Sequence, residues 1–187
     1  GFVINMFRKF EYPQSQSYQV ETTFFTEKKQ LSLLLIKIKN FTTVSKDFNY
    51  SGFIELYMTL DSLILDAIKD KNGILSFKER DFFILSFQEP LEAVAAGLEI
   101  AKNFKVYNQN IPEKLRLKPL FSIFTDYFSV KGDEFDDITL IKFKWPDAEI
   151  FQSSLIIDSK TLEHLGGKFY FSEIPEFLYS LELTDRN

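Results

Sequence analysis

The sequence predicts a single α+β domain whose core has the element order β-α-β-β-α-β, followed by a tail rich in strands. Three observations predict this fold. A continuous apolar run, typical of a buried strand, opens the core. Residues 53–68 have the three- and four-residue apolar spacing of an amphipathic helix, and Pro90 opens a second predicted helix. Between those helices lie two short apolar runs separated by a few polar residues, which is the pattern of a hairpin.

The first half of the core follows a polar segment. Residues 1–30 are mixed in composition, so we interpret them as a connector with one strand near YQVETTFF, and we place the domain at residues 31–187. The run LSLLLIKIKNF (31–41) is rich in Leu and Ile, as strands buried on both faces are. Apolar residues recur at helical spacing over residues 53–68, and Lys71-Asn72-Gly73 ends this helix.

A hairpin and a second helix follow. The runs GILSF (73–77) and DFFILSF (81–87) are separated by Lys78-Glu79-Arg80, an insert short enough for a tight connection. Pro90 opens the helix PLEAVAAGLEIAKNFKVYNQ, because proline is favourable in the first turn of a helix. The last core strand is KPLFSIFTDYFSV (118–130).

The tail contains further strands. The acidic turn KGDEFDD precedes a strand ITLIKFKW (138–145), a strand SLIID (154–158) and a short helix SKTLEHL capped by Ser159. The segments KFYFSEI and FLYSLEL close the chain as two antiparallel strands. The whole order is the ferredoxin-like arrangement with additional C-terminal strands, an architecture that hosts many unrelated functions.

Composition restricts the function classes. A net charge of −5 and a pI near 5.1, with lysines scattered among acids, argue against nucleic-acid binding, which needs a concentrated basic face. The 22 Phe predict an aromatic core with few polar atoms. No apolar run approaches the roughly 18 residues of a membrane span. The absence of Cys excludes disulfides and thiolate chemistry and fits a reducing compartment. We therefore expect a cytoplasmic location and no membrane contact within this chain, with room for an upstream sensor or membrane segment.

Several short motifs of the sequence resemble motifs of class III adenylate and guanylate cyclases. The first strand of those enzymes reads roughly F-x-D-I-x-G-F-T-x-x-S, and LLLIKIKNFTTVS (33–45) is similar to it. Their hairpin word K-T-x-G-D-x-x-x-x-x-F resembles FKERDFFILSF (77–87) in its second half. Later words are similar to SIFTD (122–126), which lacks both glycines of G-I-H-T-G, and to LIIDSKTLEHL (155–165) and FLYSLEL (177–183). The resemblance covers about residues 31–184 and implies a nucleotidyl cyclase-like fold.

A competing resemblance is to the diguanylate cyclase fold, which shares the hairpin topology. There ERDFF (79–83), or KGDEF (131–135), would stand for the G-G-D-E-F word of that family. The second candidate follows the wrong strand, and the C-terminal tail fits the class III pattern better.

The resemblance implies a catalytic site that this sequence has largely lost. Class III cyclases hold two Mg²⁺-type ions with two Asp, and the ions clamp the triphosphate and activate the ribose 3′ oxygen. The position of the first Asp is Lys37, and an ammonium group repels a cation instead of binding it. Asp81 matches the second Asp and is the only surviving metal-ligand candidate. We expect Lys37 and Asp81 on adjacent central strands, with Lys37 neutralising the carboxylate.

Other site positions also depart from the cyclase pattern. Arg80 replaces the glycine before Asp81, either as an exposed hairpin residue or as a phosphate contact. Phe77 falls on the base-recognising Lys, and the neighbouring Lys78 would point to the opposite strand face. Asp137 or the preceding Asp136 is the candidate for the base-selecting acid. The Asn and Arg that stabilise the transition state have no counterpart in KWPDAEIFQSS (144–154).

The sequence therefore predicts a degenerate, non-catalytic cyclase-like domain that acts as a dimerising regulatory module in signalling. We expect a homodimer or a cyclase-type heterodimer, no cofactor, and a nucleotide as the candidate ligand. The alternative is an atypical cyclase that uses Mg²⁺ or Mn²⁺ with Asp81 and a displaced ligand such as Glu79. A third, weaker hypothesis is that the chain is a relative of the diguanylate cyclases. The single His164 has no second His or Cys for a metal site, and no glycine-rich phosphate loop is present.

Overall fold

A mixed β-sheet carries the fold. The computed structural model describes residues 27–131, 134–135, 154–169, 171–174 and 178–182. Within them, eight strands form one sheet in the order β2-β3-β1-β4-β6-β8-β7, and β5 pairs with β4. The strands are β1 (Glu27–Ile38), β2 (Ile74–Glu79), β3 (Phe82–Phe87), β4 (Pro119–Lys131), β5 (Glu134–Phe135), β6 (Ser154–Asp158), β7 (Ser172–Ile174) and β8 (Leu178–Glu182).

Four α-helices connect these strands in the described residues. They are α1 (Phe41–Ser45), α2 (Tyr50–Leu65), α3 (Pro90–Gln109) and α4 (Ser159–Glu163), with 3₁₀ turns at Asp66–Ile68 and Glu113–Leu115. The chain divides into two compact units, Gly1–Lys29 with Tyr127–Phe143, and Gln30–Asp126 with Lys144–Asn187. In the smaller unit β4 and β5 form an antiparallel bridge, Val130 with Phe135 and Lys131 with Glu134.

Strand β1 occupies the centre of the larger unit. All residues from Leu31 to Ile36 are buried, so both faces of this strand are covered, as the continuous apolar run predicts. β1 pairs antiparallel with β3, and Leu34 faces Leu85 while Ile36 faces Phe83. These residues belong to the main apolar core, to which α2 contributes Leu56, Leu60 and Ile64, and α3 contributes Ala93, Ala96, Ile100 and Phe104.

Aromatic rings fill much of this core. Phe41, Phe53 and Tyr57 form three edge-to-face contacts with centroid distances of 5.0–5.9 Å. Phe104 meets Phe121 at 6.4 Å in the same geometry. Because such pairs add to the free energy gained by burial, these rings stabilise the aromatic core that the composition predicted.

The predicted β-α-β-β-α-β order over residues 31–130 is confirmed, and so are the strands β6, β7 and β8. Several boundaries were wrong. β1 ends at Ile38 because α1, which was not predicted, begins at Phe41. The helix predicted over residues 53–68 is α2, and it begins at Tyr50. The Asn49 side chain caps it by accepting a hydrogen bond from the Gly52 N–H at 2.8 Å.

Two further expectations need correction. The strand β2 continues through Lys78 and Glu79, so the hairpin turn is only Arg80-Asp81. The cap of α4 is Asp158 and not Ser159, because the Asp158 carboxylate accepts from the Thr161 N–H at 3.0 Å. The strands predicted at 138–145 and near YQVETTFF lie outside the described residues, and the division into a connector (1–30) and a domain (31–187) stays a prediction.

Gly73 precedes β2 at a point where the chain passes close to the core. A Cβ added there would lie 2.6 Å from Phe87 Cε1 and 3.0 Å from Ile68 Cβ. We predict that Gly73→Ala lowers the free energy of unfolding by about 1–3 kcal/mol, because the ring of Phe87 must move. Gly97→Ala on α3 is the matched control. Its Cβ would meet Leu34 Cδ1 at an ordinary 3.5 Å, and we expect a gain of up to about 1 kcal/mol. Urea denaturation of both variants measures these changes. Equal free energies of unfolding for the two variants would contradict the steric role of Gly73.

Candidate functional site

The pairing of β1 with β3 brings the first two predicted site residues to the same end of the sheet. Lys37 on β1 is paired with Phe82, the first residue of β3. Asp81 lies in the turn just before it, and its carbonyl accepts a hydrogen bond from the Ile38 N–H at 2.9 Å. Lys37 and Asp81 therefore lie on neighbouring chain segments, although Asp81 is in the turn and not on a strand.

The expected ion pair between Lys37 and Asp81 is not present. The ion pairs of the described residues do not include these two side chains, both of which are half-buried. The pairing register explains this result, because the residue directly across from Lys37 is Phe82 and directly paired residues share a sheet face. The prediction that Lys37 neutralises Asp81 was therefore wrong.

Arg80 has a backbone conformation that glycine adopts most easily. Its φ is +50°, in the left-handed region where a side chain is disfavoured. The residue is exposed, and its guanidinium carbon lies 5.4 Å from the centroid of the Phe41 ring at the start of α1. The side chain is therefore held over the β1–α1 connection by a cation–π contact.

Phe77 and Lys78 lie on opposite faces of the edge strand β2, as predicted. Phe77 is 39% exposed and contacts Phe82 edge-to-face at 5.9 Å. Lys78 pairs with Phe83, and its amino group forms an ion pair with Asp61 of α2. The same amino group lies 5.9 Å from the Tyr57 ring centroid, so Lys78 is engaged on the helix side. Its amino group therefore lies on the sheet face opposite to that of Phe77.

Three further basic residues lie at this end of the sheet: Lys39 follows β1, and Arg116 and Lys118 precede β4. The Lys39 N–H donates to the Lys118 carbonyl at 2.9 Å, which joins the end of β1 to the segment before β4. The Asn40 side chain accepts from the Lys118 N–H at 2.9 Å and donates to the Arg116 carbonyl at 2.7 Å. We call this end of the sheet the basic end, because basic residues of three backbone segments meet there. Its members are Lys37, Lys39, Arg80, Arg116 and Lys118.

Sequence reasoning missed Lys39, Arg116 and Lys118, because a spacing of nearly 80 residues separates the two groups. The only signal was their position at the predicted end of one strand and start of another.

With this geometry in place, comparison with solved structures is informative. The fold is similar to the guanylyl cyclase Cya2, with a TM-score of 0.63 and 16% identity over 84% of this chain and 92% of that chain. It is similar to the adenylyl cyclase CyaB from P. aeruginosa, with a TM-score of 0.63 and 14% identity over 84% and 95% of the two chains. This chain has the class III nucleotidyl cyclase fold.

A third similar cyclase structure is the adenylate/guanylate cyclase/hydrolase from Silicibacter pomeroyi, with a TM-score of 0.65 and 12% identity over 84% and 99% of the two chains. These neighbours favour the class III fold over the diguanylate cyclase alternative. No model of a known protein family matches the sequence. No curated protein matches it either.

In the described residues, no group of three or more His, Asp or Glu side chains is arranged to hold a metal ion. Asp136, Asp137 and most of the segment 144–154 lie outside the residues that the structure describes. None of the helices it describes has the length and apolar character that crossing a membrane requires.

His164 has a structural environment in this cyclase-like chain. Its Nδ1 lies 2.7 Å from the Lys160 carbonyl, so Nδ1 carries the proton and donates it. Its Nε2 lies 3.4 Å from Gln30 Nε2 and can only accept there. Both ring nitrogens are therefore occupied by contacts within the fold.

A second polar cluster lies at the start of α4. Asp158 accepts from the Thr161 hydroxyl at 2.5 Å, and Thr161 Oγ1 lies 2.8 Å from Thr125 Oγ1. Thr125 Oγ1 in turn lies 2.8 Å from Ser32 Oγ on β1, and the two threonines and Ser32 are buried. Burial raises the pKa of the Asp158 carboxyl above its usual value, although hydrogen bonds from Thr161 and Thr125 oppose this. The cluster fastens α4 to the sheet.

Asp158 gives a pH prediction. A carboxyl whose pKa is raised by folding binds more protons in the folded state, so its contribution to stability falls as pH rises above about 4. Asn also caps helices well, and its Oδ1 can accept the bonds from the Thr161 N–H and hydroxyl without ionising. We predict that the stability of the unmodified chain relative to Asp158→Asn decreases between about pH 4 and pH 7. Urea denaturation across this range measures the difference, and a constant difference would contradict the prediction.

Proposed function

We propose that this chain is a non-catalytic, cyclase-like domain that dimerises and acts as a regulatory module in signalling. The observation that carries this proposal is Lys37, a cation at the strand position where class III cyclases carry their first metal-binding Asp. Asp81 next to it is then the only carboxylate left of the pair. A cytoplasmic location fits this role, and an upstream sensor remains part of the proposal.

The electrostatics at Lys37 oppose metal binding. At roughly 5 Å and an effective dielectric of about 20, a unit positive charge opposes a divalent cation by about 6–7 kcal/mol. The lost attraction of a carboxylate adds to this cost. Phe77, at the base-recognising position, has no polar atom to read a purine and packs against Phe82 instead.

Exposed apolar side chains support dimerisation. On α2, Tyr50, Ile54 and Met58 are four residues apart and are 82%, 41% and 67% exposed, so they form a stripe on one helix surface. Large apolar residues that are this exposed and contiguous mark interaction surfaces. The partner that we propose is a second copy of this chain, because cyclase domains place their sites at a dimer interface. A heterodimer with a related cyclase-like chain is the alternative.

The first test of the proposal measures turnover. We predict that the full chain with ATP or GTP and either Mg²⁺ or Mn²⁺ forms no cyclic nucleotide above the background rate. Turnover that Asp81→Ala abolishes would overturn the proposal. It would support an atypical cyclase in which Asp81 binds the metal with a second ligand such as Glu79.

A gain-of-binding variant tests the placement of the metal position. We predict that Lys37→Asp creates measurable Mn²⁺ affinity in calorimetry, because it places a second carboxylate on the strand end whose backbone bonds to Asp81. Lys102→Asp on the exposed surface of α3 makes the same change of charge elsewhere and is expected to bind no Mn²⁺. If the two variants behave alike, Lys37 is not the first metal position.

The association state tests dimerisation. We predict that the chain sediments as a dimer and that Met58→Glu shifts it to a monomer, because a carboxylate in an apolar interface loses its hydration. Val106→Glu on α3 is the matched control, since Val106 is also apolar and 51% exposed. A monomeric unmodified chain, or equal dissociation by both variants, would contradict the proposed interface.

A further inference from the structure

The turn that leads into β2 contains Asn72-Gly73, the one Asn-Gly pair of the sequence. Asn72 is exposed and has a φ of +57°, in the left-handed region that Asn enters more readily than most residues. The pair follows the 3₁₀ turn Asp66–Ile68 and lies outside the helices and strands of the described residues. No ladder of backbone hydrogen bonds therefore holds these two residues in one conformation.

The backbone nitrogen of Gly73 is open to the side chain of Asn72. Within the residues that the structure describes, the Gly73 N–H donates no hydrogen bond. Gly73 also has no Cβ, so its own side does not shield the nitrogen. A rotation of Asn72 that brings its Cγ to this nitrogen therefore breaks no hydrogen bond of the Gly73 N–H.

We propose that Asn72 is a site of spontaneous deamidation, a covalent modification that changes the charge and the backbone of this turn. The Gly73 nitrogen loses its proton and attacks Asn72 Cγ. The bond between Cγ and Nδ2 then breaks, and Nδ2 leaves as ammonia after taking up a proton. Water opens the resulting cyclic imide at either carbonyl carbon. The products are Asp and isoaspartate, and in isoaspartate the main chain contains one additional methylene carbon.

The surroundings of Asn72 suit the amide and oppose both products. Asn72 Nδ2 donates a hydrogen bond to Glu92 Oε2 of α3 at 3.0 Å. Deamidation replaces this donor with a carboxylate, so an attraction between the turn and α3 becomes a repulsion between two anions. Isoaspartate also lengthens the main chain just before Gly73, which packs close to the ring of Phe87. The modified turn therefore holds the start of β2 less firmly.

Strand β2 is the element that this change affects most directly. It is an edge strand of the sheet and pairs with β3 alone. Its far end leads into the Arg80-Asp81 turn of the candidate site. We therefore expect the modification to accumulate with time and to destabilise this hairpin. Neither the reaction nor its consequence depends on the proposed function, because no ligand or partner takes part.

Incubation of the full chain, followed by digestion at low pH and peptide mass spectrometry, measures the reaction at each Asn. Asn110 is the internal control, since it is also exposed but precedes Ile111. We expect Asn72 to deamidate at least about tenfold faster than Asn110, because the branched side chain of Ile111 crowds the attacking nitrogen. The rate at Asn72 should rise with pH, since the attacking nitrogen must lose its proton.

A synthetic peptide of residues 68–78 gives the rate of the same sequence without the fold. We expect the full chain to react at Asn72 within about tenfold of the peptide rate, because exposed turns open at little cost in free energy. Two results would overturn the proposal. The first is a full chain that stays unmodified at Asn72 while the peptide reacts. The second is a rate at Asn72 no faster than that at Asn110.

Charge variants test the consequence of the modification. Asn72→Asp supplies the Asp product directly, and we expect it to lower the urea midpoint of unfolding. In a Glu92→Gln background the same substitution should lower the midpoint less, because the opposing anion is gone. Asn110→Asp is the matched control, and its effect should be the same in both backgrounds. An equal loss from Asn72→Asp with and without the Glu92 carboxylate would contradict the proposed repulsion.

Discussion

Strand β1 lies between β3 and β4 with both of its faces buried, and its position constrains the rest of the larger unit. A one-residue slip against β3 would turn Lys37 from the face of Phe82 to the core face of Ile36 and Ile38, where a buried charge is costly. The register is therefore fixed by burial, and with it the neighbours of Lys37 at the end of the strand. The Asn40 side chain adds a second constraint on the opposite side, because it bonds both Arg116 and Lys118. The site residues are held by packing that has no part in binding.

The order of elements was predictable because each core element has a local signal. The apolar run of β1 and the helical spacing of α2 and α3 depend only on residues near in sequence. Turn positions were less predictable, since Lys78 and Glu79 look polar enough for a turn but extend β2 and pair with β3. The Asp158 cap was missed because Ser159 is an equally good capping residue, and only the observed hydrogen bond to Thr161 distinguishes them.

Side-chain relations across strands were the least predictable part of the site. The cyclase-like motifs predict that Lys37 and Asp81 lie near each other, and the backbone hydrogen bond between Ile38 and Asp81 agrees with this prediction. A sequence motif does not show which side chains share a sheet face. An ion pair between Lys37 and Asp81 was therefore expected, whereas the residue across from Lys37 is Phe82. The gathering of Lys39, Arg116 and Lys118 depends on the pairing of β1 with β4, and no local pattern reveals that pairing. The basic end is a property of the sheet and not of any one segment.

The hydrogen bonds among the buried hydroxyls beside Asp158 all have the same donor-to-acceptor direction. When the carboxylate is ionised it can only accept, so the Thr161 hydroxyl donates to it, Thr125 donates to Thr161, and Ser32 donates to Thr125. Every proton in this row therefore points away from β1 and toward the Asp158 carboxylate. Removing the hydroxyl of Ser32 would leave only an unused lone pair on Thr125, whereas removing the carboxylate would leave the final donor without an acceptor. The two ends of one hydrogen-bonded row thus differ in how much the fold depends on them, and the carboxylate end is the one that orients all the others.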